Sequence, residues 1–154
     1  MKTIAALACV ALLLSTAAAA TAQPVLNRDH VWGAGASLNF PYDELGNDAG
    51  TGWGLFGTLD YPLIPLFDLT GRVGWNTFPG DDNHDTVDVW EITAGGRLAL
   101  GAFFMSGEVG WYDKGDTWSW VPGLGLRFSN LEVALRWRAV GRYAFTGASA
   151  AWYF

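Results

Sequence analysis

Apolar and polar residues alternate with a period of two along most of the chain after residue 30. The alternation falls into eight stretches, at 30–40, 51–61, 67–77, 87–98, 103–112, 118–128, 131–140 and 143–154. A period of two is the signature of a strand whose two faces meet different surroundings. In the first stretch Trp32, Ala34, Ala36, Leu38 and Phe40 share one face, opposite Gly33, Gly35, Ser37 and Asn39. In the third, Leu69, Val73 and Trp75 oppose Asp68, Thr70, Arg72 and Asn76. In the sixth, Trp118, Trp120, Leu124, Leu126 and Phe128 oppose Ser119, Gly123, Gly125 and Arg127. In the seventh, Leu131, Val133, Leu135 and Trp137 oppose Glu132, Arg136 and Arg138. Each stretch is as long as a tilted strand needs to be to cross a bilayer. An even number of them suits antiparallel closure, which leaves no unpaired edge in lipid. The pattern predicts an all-β chain, an eight-stranded antiparallel up-and-down transmembrane β-barrel.

Alternation alone does not say which face points inward, since a soluble lipocalin-like binder would turn its apolar face to the core. The start of the chain bears on this. Lys2 precedes an apolar stretch at 4–14, and Ala20-Thr21-Ala22 is a small-x-small site, so residues 1–22 read as a cleaved secretory signal peptide. Residues 23–154 then form the barrel domain. The single cysteine, Cys9, lies within the signal, so no disulfide is expected in the exported chain. Hydrophobic residues make up 51% of the sequence and nine are Trp, more than a soluble domain of this size can hide. Trp75, Trp90, Trp111, Trp118 and Trp137 fall toward one set of strand ends, and Tyr61, Phe67, Phe103, Phe128 and Trp152 toward the other. Two aromatic rings at the two water boundaries are what an interfacial girdle requires.

The connections differ in kind. Those after the first, third and fifth stretches are acidic (PYDELGNDAG, FPGDDNHDT and DKGDT), and Arg142 marks a tight fourth turn on the same side. Those after the second, fourth and sixth are short and apolar or neutral (PLIPL, ALGA and SN). Long outside and short inside is the rule for outer-membrane barrels. The last segment reads RYAFTGASAAWYF and ends on Phe154. It resembles the last strand of bacterial outer-membrane barrels, in which a terminal Phe with apolar residues at alternate positions is read by the barrel-assembly machinery. Ala148, Ala150, Trp152 and Phe154 would carry that signal. The whole pattern resembles the small eight-stranded outer-membrane barrels of the OmpA/OmpX type. The resemblance implies an integral outer-membrane protein of a Gram-negative cell, in contact with outer-membrane lipid and lipopolysaccharide, and a monomer.

The inward parity carries five acids, Asp60, Asp68, Glu91, Glu108 and Glu132, and five arginines, Arg72, Arg97, Arg127, Arg136 and Arg138. An eight-stranded barrel is only wide enough for side chains to fill it, so these charges are expected to pair as an ionic plug. Glu108 and Glu91 are the leading partners for Arg136 and Arg138, and Glu132 is placed to meet Arg127 across the SN turn. A structural or surface-interaction role follows, with a narrow channel or transporter for small solutes, or a lipid-modifying outer-membrane enzyme, as the alternatives. Eight-stranded lipid A deacylases and palmitoyltransferases use His and Ser. Here His30 sits near the start of the first stretch, His84 lies beside Asp85 without a Ser near it in sequence, and Ser129-Asn130 lacks a preceding His, so no enzyme activity is expected. Asp81, Asn83 and Asp85 resemble the opening of a calcium loop, but Thr86 and Ile92 replace its later Gly and Glu, so neither a metal nor another cofactor is expected. Without Lys2 the chain has eight basic residues against fifteen acidic ones, a charge of −7, and no basic stripe suited to nucleic acid.

Overall fold

The computed structural model describes residues 32–80, 85–114, 117–141 and 143–154. The signal-peptide assignment, His30, Asp81, Asn83, His84 and Arg142 lie outside them. Eight strands follow in order: β1 (Trp32–Pro41), β2 (Gly52–Ile64), β3 (Phe67–Phe78), β4 (Val87–Leu100), β5 (Phe103–Tyr112), β6 (Thr117–Phe128), β7 (Leu131–Arg138) and β8 (Phe145–Tyr153). Every strand pairs antiparallel with its neighbours in sequence, and β8 returns to β1 to close the barrel. The closing ladder runs from Gly33 opposite Tyr153 to Pro41 opposite Phe145. The Phe154 amide extends it by donating to the Trp32 carbonyl at 2.9 Å. Closure matters because each strand edge carries N–H and C=O groups that need partners.

Side-chain direction follows the alternation. On β3, Asp68, Thr70, Arg72 and Asn76 are buried, whereas Leu69 and Val73 are exposed. The same holds on β4, where Glu91, Thr93 and Arg97 point in and Trp90, Ile92 and Leu98 point out. The polar set therefore fills the lumen and the apolar set forms the outer wall. A soluble barrel has the opposite sense. Trp75 faces Trp90 across the β3–β4 ladder, and Trp111 faces Trp118 across β5–β6. Trp53 packs edge-on against Trp75, with centroids 5.2 Å apart, so these rings form one belt near the ends of the strands.

Several boundaries differ from the sequence reading. β2 runs three residues further, through Pro62 and Leu63 to Ile64, with a register irregularity between Pro62 and Ile64. Pro lacks the amide that a regular ladder needs, and a bulge accommodates it. β4 continues to Leu100, leaving Gly101 and Ala102 as the turn, with Gly101 at φ 67°. β7 stops at Arg138 and β8 begins at Phe145, so the last connection on that side is longer than the tight turn expected. The first acidic connection contains a short helix, α1 (Asp43–Asp48), which periodicity did not suggest.

Candidate functional site

The lumen is layered, and the layers follow from which inward positions the strands bring to one level. At the end bearing the acidic connections the filling is apolar. Leu45 of α1 and Ala49 fold over the mouth onto Phe78, Val89, Tyr112, Val121, Val140 and Phe145, all buried. Backbone bonds hold this lid: the Tyr42 amide donates to the Ala144 carbonyl at 3.0 Å, and the Gly50 amide to the Pro79 carbonyl at 2.9 Å. The Tyr42 hydroxyl adds a bond to the Arg138 carbonyl at 3.3 Å.

Beneath the lid lies a first ionic level built on Glu91. Arg138 spans the lumen from β7 to β4 and grips Glu91 with a fork, Nε to Oε2 at 2.7 Å and Nη2 to Oε1 at 3.1 Å. Arg72 places its Nε 3.0 Å from the same Oε1. Bulk would not fit here. A Cβ on Gly147 would lie 2.7 Å from Arg138 Nη1, and one on Gly74 would lie 2.9 Å from Glu91 Oε1. These two glycines make the space that the long side chains occupy.

A second level centres on Glu108. Its Oε1 accepts from Arg136 Nη1 at 2.7 Å and from the Thr70 hydroxyl at 3.2 Å, and its Oε2 accepts from the Thr93 hydroxyl at 2.5 Å. The third level is a chain of charges with Arg97 as its hub. Arg97 reaches Asp60 through Nη1 at 2.8 Å and Glu132 through Nη2 at 2.7 Å. Arg127 also meets Asp60, at 3.1 Å, and the Tyr153 hydroxyl donates to Glu132 at 3.1 Å. A longer contact, Arg136 Nη2 to Glu132 Oε1 at 3.7 Å, joins the second level to the third. Asp68 is buried beside its register partner Arg97.

Four of the five arginines also lie over an aromatic ring: Arg72 over Phe56 at 3.3 Å, Arg97 over Phe104 at 4.0 Å, Arg127 over Tyr153 at 3.7 Å and Arg138 over Phe145 at 5.0 Å. Guanidinium is weakly hydrated and planar, so a ring face replaces part of its lost water. These four aromatics, with Thr70 and Thr93, belong to the site and were not singled out in the sequence. Their inward parity was the available signal.

All ten ionisable residues point into the lumen, and nine of them are buried outright, Arg127 being slightly more open. Around Glu132 and Arg127 the structure adds partners from across the lumen. Glu132 and Arg127 are register partners across the SN turn. Glu132 nevertheless engages Arg97 and Tyr153, while Arg127 crosses to Asp60. Long side chains at the end of a barrel reach across the lumen as easily as along the wall. Of the candidate assembly residues, Trp152 and Phe154 are exposed on the outer wall, with Ala150 above them and Ala148 half-buried against its neighbours. Asp85 is exposed, and no cluster of metal-ligating side chains occurs among the described residues.

No protein-family model matches the chain, and no curated protein sequence matches it. Among solved structures the chain is similar to the outer membrane protein Ail of Yersinia pestis in a phospholipid bilayer nanodisc, at 14% identity and a TM-score of 0.45, over 79% of this chain and 99% of that one. It is also similar to the KdgM porin in complex with disordered oligogalacturonate, at 10% identity and a TM-score of 0.35, over 80% and 98%. The closed eight-stranded antiparallel barrel stands on this chain's own ladders rather than on these likenesses.

Proposed function

We propose that this protein is an integral outer-membrane barrel with a structural or surface-interaction role, whose lumen is shut by its own ion pairs. One observation carries the reading: the barrel is inverted, with Ile92 and Val73 each 53% exposed on the wall while Glu91 and Arg138 inside are at 0% and 1%. An apolar wall of this extent is unstable in water and at home in lipid. The secretory pattern at 1–22 and the alternation of Ala148, Ala150, Trp152 and Phe154 support export and assembly in a Gram-negative outer membrane, with outer-membrane lipid, lipopolysaccharide and the assembly machinery as partners and a monomer as the working unit. The interior is committed to charge pairing, so no catalytic role is proposed.

Membrane fractionation together with gel migration of unboiled samples tests the placement. The expected result is a membrane-bound, heat-modifiable band. A soluble protein whose migration is unchanged by boiling overturns it. Planar-bilayer recording tests the closed lumen, and steady ion conductance there would favour a narrow solute channel instead.

A further inference from the structure

The charges of the lumen balance as a whole but not level by level. At the Glu91 level two guanidiniums, Arg72 and Arg138, share one carboxylate, and both rest on its Oε1. The next carboxylate, Glu108, is bound by Arg136, Thr70 and Thr93. Above lies the apolar cluster of the lid, whose helix carries its acids, Asp43, Glu44 and Asp48, at exposed positions. Three arginines, Arg72, Arg138 and Arg136, thus share the two carboxylates of these levels, in a place where Arg72 and Arg138 side chains are 2% and 1% exposed. Buried polar atoms lack partners at this same level, the acceptor Asn39 Oδ1 near Gly147 among them. Arg72 Nη2 and Arg138 Nη1 have no hydrogen-bond partner, nor does the hydroxyl of Tyr112, the register partner of Glu91. Fully buried polar groups of this kind find an acceptor, and a buried unpaired charge finds a counter-ion.

We propose that the Glu91 level holds one small monovalent anion of the chloride class, between Arg72 and Arg138 and beneath the Leu45 lid. The anion accepts from the free guanidinium N–H groups and brings the level to neutrality. The inference rests on the closed, ion-paired lumen proposed above.

The test uses the mature chain refolded in detergent, with unfolding midpoints measured in sodium chloride, bromide and gluconate at equal ionic strength. Chloride and bromide should raise the midpoint by about 5 °C over gluconate, the scale expected when a ligand binds the folded state alone. Arg72→Met removes the excess charge, so it should abolish the difference between halide and gluconate. Tyr112→Phe, which keeps the ring, should shrink it and serves if the first variant does not fold. Crystals grown in bromide should show an anomalous peak within hydrogen-bonding distance of Arg72 and Arg138. Equal midpoints in all three salts, or bromide found at surface sites only, overturn the inference while leaving the closed lumen intact. Steady conductance of the wild type overturns the closed lumen itself, and the two failures are thereby separate.

Discussion

Arg97 is the residue on which the interior depends most. It holds Asp60 and Glu132 at once and stacks on Phe104, so its loss leaves Asp60 to Arg127 alone and Glu132 to Tyr153 and the longer Arg136 contact. Breaking a buried pair from one side costs about 3–5 kcal/mol, because the remaining charge keeps its desolvation penalty. Arg97→Ala should therefore lower unfolding free energy in denaturant titrations by at least that range. Arg127→Ala should cost less, since its side chain is 10% exposed and water can replace it. Equal losses for the two would show that the hub geometry does not govern stability. At Glu108 the same logic makes a double-variant test. Arg136→Ala alone should destabilise, and adding Glu108→Gln should recover part of the loss, because the amide no longer needs a cation. If the double variant is no more stable than Arg136→Ala, the pair is not coupled. The charges themselves were legible from strand parity, since Asp60, Glu91, Arg136 and the rest alternate with apolar residues. Their partners were less so. Arg138 and Glu91 lie 47 residues apart and Arg127 and Asp60 lie 67 apart, on strands that face each other across the lumen. No local spacing encodes that distance, and the local clue at the SN turn pointed to a different partner for Glu132.

The strands were readable because a one-residue slip would exchange wall for lumen at every position, so the pattern fixes register strongly. What escaped the pattern is where side chains or chain chemistry override it. α1 is six residues long, too short for a helical period to show, and its Leu45 is placed by the lid rather than by any repeat. β2 persists through Pro62 because a bulge absorbs the missing amide. The wall positions carry their own expectation. Val73, Leu69 and Leu135 should accept other apolar residues, but Arg at the bilayer midplane costs roughly 2–4 kcal/mol. Unfolding from lipid vesicles measures this, and a wall that tolerates Arg at all three positions is not facing lipid. The last strand adds an expectation about assembly. Phe154 contributes an exposed ring and one backbone bond to Trp32, so its deletion should barely change refolding into detergent while lowering the folded yield in cells. Undiminished yield in cells would remove the assembly role assigned to that end.

Across the whole molecule two barriers stand in series. The mouth under the acidic connections is sealed by a dry cluster of Leu45, Ala49, Phe78 and Phe145, and below it three ionic levels cross the lumen from wall to wall. Their physics differs. On the proposed closed lumen, the lid would exclude ions because it offers no hydration, and the ionic core because its charges already hold each other at 2.7–2.8 Å. Removing the lid alone should therefore not open a path. Replacing residues 43–49 with a short Gly-Ser turn should leave bilayer conductance near the wild-type baseline, because an entering ion still has to break Arg138 from Glu91. The same variant should unfold more easily, having lost the burial of Leu45 and Ala49. Combining lid removal with Arg138→Ala, Arg136→Ala and Arg97→Ala weakens the lid and all three ionic levels, and this variant should be the one that conducts if it folds. A steady current after lid removal alone would mean that the ion pairs yield to a passing ion. The helix would then be the gate of a pore, and the barrel a channel rather than a closed wall.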